Sequence, residues 1–265
     1  MPSMGHLHQP RHHHQSGIHS HLDHSSPSQL NKTPSRLITT SSRITKPKTP
    51  SVIMHQQGHS ITDGKPLVPP IDIWNADAEH DANAELLRNF EIKRNVFATL
   101  ARSPGLFVPV MELLKALLSG DTRKIQILDY QLIVLRMAST VGAEYVFGIN
   151  EPVSRFNGMG DDRIEALRKG LPAAELFAMG IWSERQQCLI TLLDESLATW
   201  TNTPETIAWA RRLMSDDEIV EVFIVLGFFS MVARMTIGLR VQEDPPIPDL
   251  EKHIAMRITK NKNAE

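Results

Sequence analysis

Cysteine is nearly missing: Cys188 is the sole thiol in 265 residues. An intrachain disulfide is therefore excluded, and the composition fits a reducing compartment such as the cytoplasm. Histidine is missing where chemistry would need it. Of 12 histidines, all lie at or before His80 except His253. That leaves no histidine in the apolar part of the chain for a Ser/His or Cys/His nucleophile system. No H-E-x-x-H, cysteine pair or carboxylate cluster calls for a metal, and no motif calls for a cofactor. Excess charge is missing too: the formal net charge is -2. A broad nucleic-acid surface needs a basic face and is not expected. Finally, no uncharged apolar run reaches the ~20 residues that span a bilayer. The nearest, Ile219–Leu239, carries Glu221 and Arg234 and reads as a core or interface helix.

The organisation follows from where apolar periodicity begins. Residues 1–62 are rich in His, Ser, Thr, Pro and Gln, with Asp23 the only acid. Such a segment cannot bury a core, so residues 1–70 are expected to be disordered. Its histidine cluster (His6, His8, His12, His13, His14) is a possible adventitious metal binder. The stretch 36–48 has the basic, hydroxyl-rich, acid-free character of a mitochondrial transit peptide, which makes mitochondria the alternative location. A dispensable tail, or a start at Met54, is the preferred reading. The helical domain is expected at 83–240 and a polar tail at 241–265.

Within that domain the spacing predicts helices throughout. Leu86, Leu87, Phe90, Val96, Phe97 and Leu100 form a stripe for a helix over 83–102, ended by Ser103-Pro104-Gly105. A helix over 107–118 stops at Ser119-Gly120, and Asp121-Thr122 opens the next. Asn157-Gly158-Met159-Gly160 is a turn, since it follows a helix rather than the strand a phosphate loop requires. Asp161 or Asp162 caps a short helix. Ser183 with Gln186 and Ser215 with Glu218 are capping boxes, and Thr203-Pro204 is a cap followed by proline at the first helical position. No strand is expected.

The stretch 131–150, QLIVLRMASTVGAEYVFGIN, organises the rest. It is apolar on nearly every side, as a helix buried all round must be, and Gly142 breaks it into two helices. Its few polar side chains are Gln131, Arg136, Glu144, Tyr145 and Asn150. Buried, they must either satisfy one another or line a pocket. In the first case Arg136 pairs with Glu144 and holds the elbow. In the second, Gln131, Arg136 and Asn150 bind a substrate. Amides exchange no protons near neutrality, so proton transfer then falls to Glu144 or Tyr145.

The order Arg136, Gly142, Glu144-Tyr145, Gly148 resembles the centre of the carboxymuconolactone decarboxylase and alkylhydroperoxidase D-like family, which often reads R-x(5)-G-C-E-Y-x-x-G-x-H. The resemblance runs over about 90–239 and includes NVFATLARSPGLF, SERQQCLITLLDES and SDDEIVEVFIVLGFFSMVA. It implies that all-α fold, a homo-oligomer (dimer, trimer or hexamer), and cofactor-free chemistry on a small carbonyl- or carboxylate-bearing metabolite. Redox members carry C-x-x-C-x-x-x-H and a glutamate twelve residues before the first cysteine. This chain has Ala143, Val146 and Asn150, and Gln131. Hydroperoxide reduction is accordingly not expected. The leading expectation is a lyase or isomerase using Glu144 and Tyr145, and the alternative is a non-catalytic binding or scaffold relative. Cys188, set among Leu189, Leu192 and Leu193, reads as a core residue.

Overall fold

The computed structural model describes residues 64–71, 83, 87, 93–245 and 247–255. The expectations placed on 1–63, the histidine cluster, the transit-peptide stretch and Met54 lie outside those residues. Nine helices follow in order among the described residues: α1 (Asn95–Leu100), α2 (Pro104–Leu118), α3 (Ile127–Val141), α4 (Glu144–Phe156), α5 (Asp161–Arg168), α6 (Ala173–Ala178), α7 (Glu184–Thr199), α8 (Pro204–Leu213) and α9 (Asp216–Gly238). No strand occurs among them, so the fold is all-α as expected.

Helix α3 is the axis. Every residue from Asp129 to Ala138 is buried, because α4, α7 and α9 pack on three sides of it and α5 adds a fourth contact. Its C-terminus turns at Gly142, whose φ of 70° lies in the left-handed region that glycine enters without a Cβ penalty. Both capping boxes form: Ser183 with Gln186 opens α7, and Ser215 with Glu218 opens α9. Thr203 caps α8 ahead of Pro204.

Several boundaries differ from the sequence reading, each for a local reason. The single helix over 83–102 is interrupted: Asn83 and Leu87 are helical, Arg94 is extended, and α1 restarts at Asn95. The restart is imposed from far away, because Asp244 accepts the Asn95 N–H at 2.7 Å. Pro104 opens α2 rather than closing the helix before it, serving at the first helical position where its missing N–H costs nothing. Helix α3 begins at Ile127, not near Asp121, because Glu221 of α9 takes the Lys124 and Ile125 N–H groups at 2.6 and 3.3 Å. Gly160, not an aspartate, is the residue before α5; Asp161 and Asp162 lie in its first turn. The short helix α6 was not expected.

Helix α4 is also not buried all round. Tyr145, Val146, Phe147, Asn150 and Ser154 face the core, while Glu144 and Gly148 face out. Helix α9, at 23 residues, is long and apolar enough by length and composition to cross a membrane even with Glu221 and Arg234 in it. In the fold it lies against α3, α4 and α8 and buries Val222, Val225, Phe228, Phe229 and Val232.

Of the polar tail expected at 241–265, the described residues 241–245 and 247–255 are a built part of the domain. The Asp244 side chain is only 5% exposed, and Ile254, within the helical turn 250–255, is buried. On the other side, 64–71 is tied down: Leu67 N–H donates to Leu239 O at 2.9 Å, and Arg102 donates to Pro69 O and Pro70 O at 2.9 and 3.0 Å.

Candidate functional site

The elbow between α3 and α4 gathers the polar residues singled out above, and each has a definite position. Gln131 has no exposed surface. Its Oε1 is 2.8 Å from Ser154 Oγ, which also lies 2.9 Å from Asn150 O. One hydroxyl has one hydrogen and cannot donate to both. The two contacts coexist when the Gln131 amide turns its NH2 toward Ser154 and Ser154 donates to the Asn150 carbonyl. In either orientation one buried amide atom of Gln131 is left over; as drawn it is Nε2. Asn150 spends an amide hydrogen on Val146 O, four residues back, at 2.8 Å. Ala143 and Val146 fill the space between as core residues. The arrangement is a neutral amide–hydroxyl–amide chain embedded in packed apolar side chains.

Arg136 does not pair with Glu144. It makes a two-pronged ion pair with Asp194 of α7, at 2.8 and 2.7 Å, and gives a third hydrogen bond to Leu171 O at 2.8 Å. The planar guanidinium matches a carboxylate fork, and its donors are absorbed in tying α3 to α7 and to the loop before α6. Glu144 sits outside, 77% exposed, with Arg168 at 3.8 Å. Arg168 is itself stacked 4.2 Å above the Phe147 ring and paired with Glu151. Thus Glu144 and Gln131 are on opposite sides of the α4 backbone.

Tyr145 points into the fold but away from Gln131. Its hydroxyl donates to Asp244 at 2.7 Å and accepts the Val96 N–H at 3.2 Å. Burial, and then the neighbouring Asp244 charge, push the phenol well above its ordinary range, so it holds its proton. Asp244 completes this second centre by pairing with Arg94 at 2.9 Å and capping Asn95. A cavity of about 30 Å³ lies beside it, lined by Pro66, Pro70, Asn95, Thr99, Val241 and Gln242. That is room for a water or two and too little for an organic acid.

The structure therefore brings Gln131 and Asn150 together through Ser154, sends Arg136 to Asp194, Tyr145 to Asp244, and Glu144 to the surface. Sequence reasoning missed Ser154, Asp194 and Asp244. Ser154 had a signal, since it stands four residues after Asn150 on the same helical face. Asp194 and Asp244 are 58 and 99 positions from their partners, and nothing local marks them.

Burial raises the Cys188 thiol to about 11, opposed by the nearby Arg212 charge. At neutral pH it is a thiol, not a nucleophilic thiolate. Among the described residues no group of three or more His, Cys, Asp or Glu could hold a metal ion.

The overall fold matches solved structures. A peroxidase-related protein from Silicibacter sp. TM1040 aligns at a TM-score of 0.55 and 15% identity, over 70% of this chain and 96% of that one. The fold is alkylhydroperoxidase D-like. The debrominase Bmp8 in complex with 2,3,4-tribromopyrrole aligns at 0.53 and 16%, over 73% of this chain and 98% of its own. The alkylhydroperoxidase AhpD core of a peroxidase-related protein from Ralstonia eutropha JMP134 aligns at 0.52 and 16%, over 68% and 92%. No family model matches the sequence, and no curated protein matches it either. At these identities the likeness carries the AhpD-like fold alone.

Proposed function

We propose that this chain uses the AhpD-like fold as a non-catalytic binding or scaffold relative, with neither thiol nor proton-transfer chemistry at the elbow. One observation carries the reading: the groups able to exchange a proton are not at the elbow. Glu144 is on the surface, Tyr145 is bound to Asp244, and what remains around Gln131 is neutral and packed. Amides and a serine hydroxyl without a base supply no general acid–base pair. Such a polar chain fixes the register of α4 against α3, because a shifted helix would strand its buried donors and acceptors.

The test is complementation of a deletion strain with the Gln131→Leu, Asn150→Leu double variant, followed by metabolite comparison with the parent. The expected profile equals that of the wild-type gene. A metabolite lost with the double variant, at wild-type protein abundance and helical content, would overturn the proposal.

Decarboxylase- or isomerase-type chemistry on a small carbonyl- or carboxylate-bearing metabolite keeps one observation in its favour. Tyr145 and Asp244 form a phenol–carboxylate pair at 2.7 Å. In the same strain, a Tyr145→Phe variant that folds but fails to restore a metabolite is the outcome that reading requires.

A further inference from the structure

Helix α9 buries one side and leaves an apolar side bare. Val220, Phe223, Ile224, Met231 and Ile237 are exposed on it, and the outward positions 220, 223, 224, 227 and 231 are all uncharged. Arg234, farther along, lies 5.1 Å above the Trp200 ring. From Val220 to Gly238 the strip is about 27 Å long at 1.5 Å per residue. A lone chain seldom leaves so long an apolar strip uncovered.

What covers it follows from where the chain enters the domain. Gly64 is the first described residue, and it enters at the C-terminal end of α9. There Gln242 Nε2 donates to Gly64 O at 3.0 Å, and Leu67 N–H donates to Leu239 O at 2.9 Å. Leu67, exposed as well, adds an apolar side chain at that end. The residues just before Gly64 therefore start at one end of the strip.

Their composition and reach fit it. Residues 52–62, VIMHQQGHSIT, carry no Lys, Arg, Asp or Glu, and hold apolar groups at two places, Ile61 and Val52-Ile53-Met54. At about 3.3–3.6 Å per residue, Ile61 reaches ~10 Å from Gly64, which is the distance back along α9 from Gly238 to Met231. Met54 reaches about 33–36 Å, enough to pass Val220. Laying this segment down strips no charge of water, a cost that the basic stretch 36–48 would incur. The tether favours it over any separate occupant: a segment joined by a short linker is presented at an effective concentration on the order of millimolar, against the far lower concentration of another protein or a second copy.

We propose that residues 52–62 dock on the outer face of α9, running back from Gly64 toward the start of the helix. Ile61 then lies against Met231 and Ile237, and the Val52-Ile53-Met54 triplet against Val220 and Ile224. None of these residues belongs to the elbow, so the proposal stands apart from the question of chemistry there. A chain that begins at Met54 lacks Val52 and Ile53 and bares the Val220 end of the strip.

The experiment places a nitroxide on the full chain through His55→Cys; Cys188 is buried and takes no label. In the NMR spectrum the amide signals of 220–227 are expected to lose most of their intensity, and to regain it when the nitroxide is reduced. With Val52→Ser, Ile53→Ser and Met54→Ser added, the same label is expected to leave those signals sharp. Ile224→Glu, with helical content checked by circular dichroism, is expected to do the same; should it lose helix, the serine variant decides alone. Signals of 220–227 that stay sharp in the labelled chain, or that broaden equally with the three serines, overturn the proposal. Broadening that passes from a labelled chain to a separate, isotopically marked chain in a mixture overturns it in favour of a second copy. Sharp signals that vanish only when neutral lipid vesicles are added overturn it in favour of a lipid surface.

Discussion

Replacing Asp244 with alanine tests how the ends of the domain are held. One carboxylate, 5% exposed, accepts from three donors: Arg94 Nη1, the Asn95 N–H and Tyr145 Oη. Removing it uncaps α1, worth about 1 kcal/mol. It also takes the partner from a hydrogen bond to a charged group, worth about 1.5–3 kcal/mol. And it leaves Arg94, itself only 12% exposed, without its counter-charge; breaking such a buried pair costs about 3–5 kcal/mol. These are overlapping accounts of one atom's contacts and do not add, so the expected loss is about 4 kcal/mol. For a domain of this size each kcal/mol moves the melting temperature about 2–4 °C, giving a fall of about 8–16 °C. Thermal melts at neutral pH read it directly, and native-state hydrogen exchange should show the amides at the start of α1 losing protection first. Tyr145→Phe removes one donor and leaves the other two in place, so its loss should be smaller, about 1–2 kcal/mol. A loss under about 1 kcal/mol for Asp244→Ala would refute the reasoning, because the carboxylate would then not be enclosed with its donors.

Gln131→Glu places a carboxyl where there is no exposed surface, and burial raises its pKa. Its stability contribution is intact below the unfolded value of about 4.3 and is lost as pH rises through the folded one, so the variant should melt lower at pH 7 than at pH 5, relative to wild type at each pH; equal losses at both would refute burial. Cys188 should react with a thiol reagent only after denaturation, since its pKa of about 11 and full burial hide it, and any peroxide turnover should survive Cys188→Ser. Comparing a chain that starts at residue 64 with one that starts at 72 should show the second melting lower, because only the first keeps the bonds to Leu239, Gln242 and Arg102; equal melting would show that segment to be inert.

Much of the fold was legible because its signals are local. The capping residues Ser183, Thr203 and Ser215 fix three helix starts within four residues of themselves, and Gly142 announces the elbow by what its backbone must do. The burial of α3 followed from an apolar composition on every side. What stayed hidden was long-range. Arg136 had two acids to choose between, and sequence proximity favoured Glu144; the fold brings Asp194 instead, because α7 packs along α3 while Glu144 leaves the elbow on the solvent side of α4. The break at Arg94 was invisible for the same reason: the group that caps α1 arrives from 149 positions away. The elbow resembled a pocket in sequence because its polar residues were counted without Ser154, whose hydroxyl lies against both the Gln131 amide and the Asn150 backbone carbonyl.

The seam between 64–67 and 239–242 has one more consequence. Gln242 Nε2 donates to Gly64 O at 3.0 Å across 178 positions, so the first described segment lies beside the backbone that follows α9. Within the described residues, the backbone at 64–67 and that at 239–242 are therefore neighbours. Joining these two segments with a short linker and opening the chain instead at the exposed turn around Gly158 would leave the core contacts of α3 untouched. The order in which the helices leave the ribosome would change while their final neighbours stayed the same. In the natural order, α1 must wait for Asp244, and so for nearly the whole chain, before its N-terminus is capped. In the rearranged gene Asp244 would precede α1 in the chain, so the cap would be available as α1 forms.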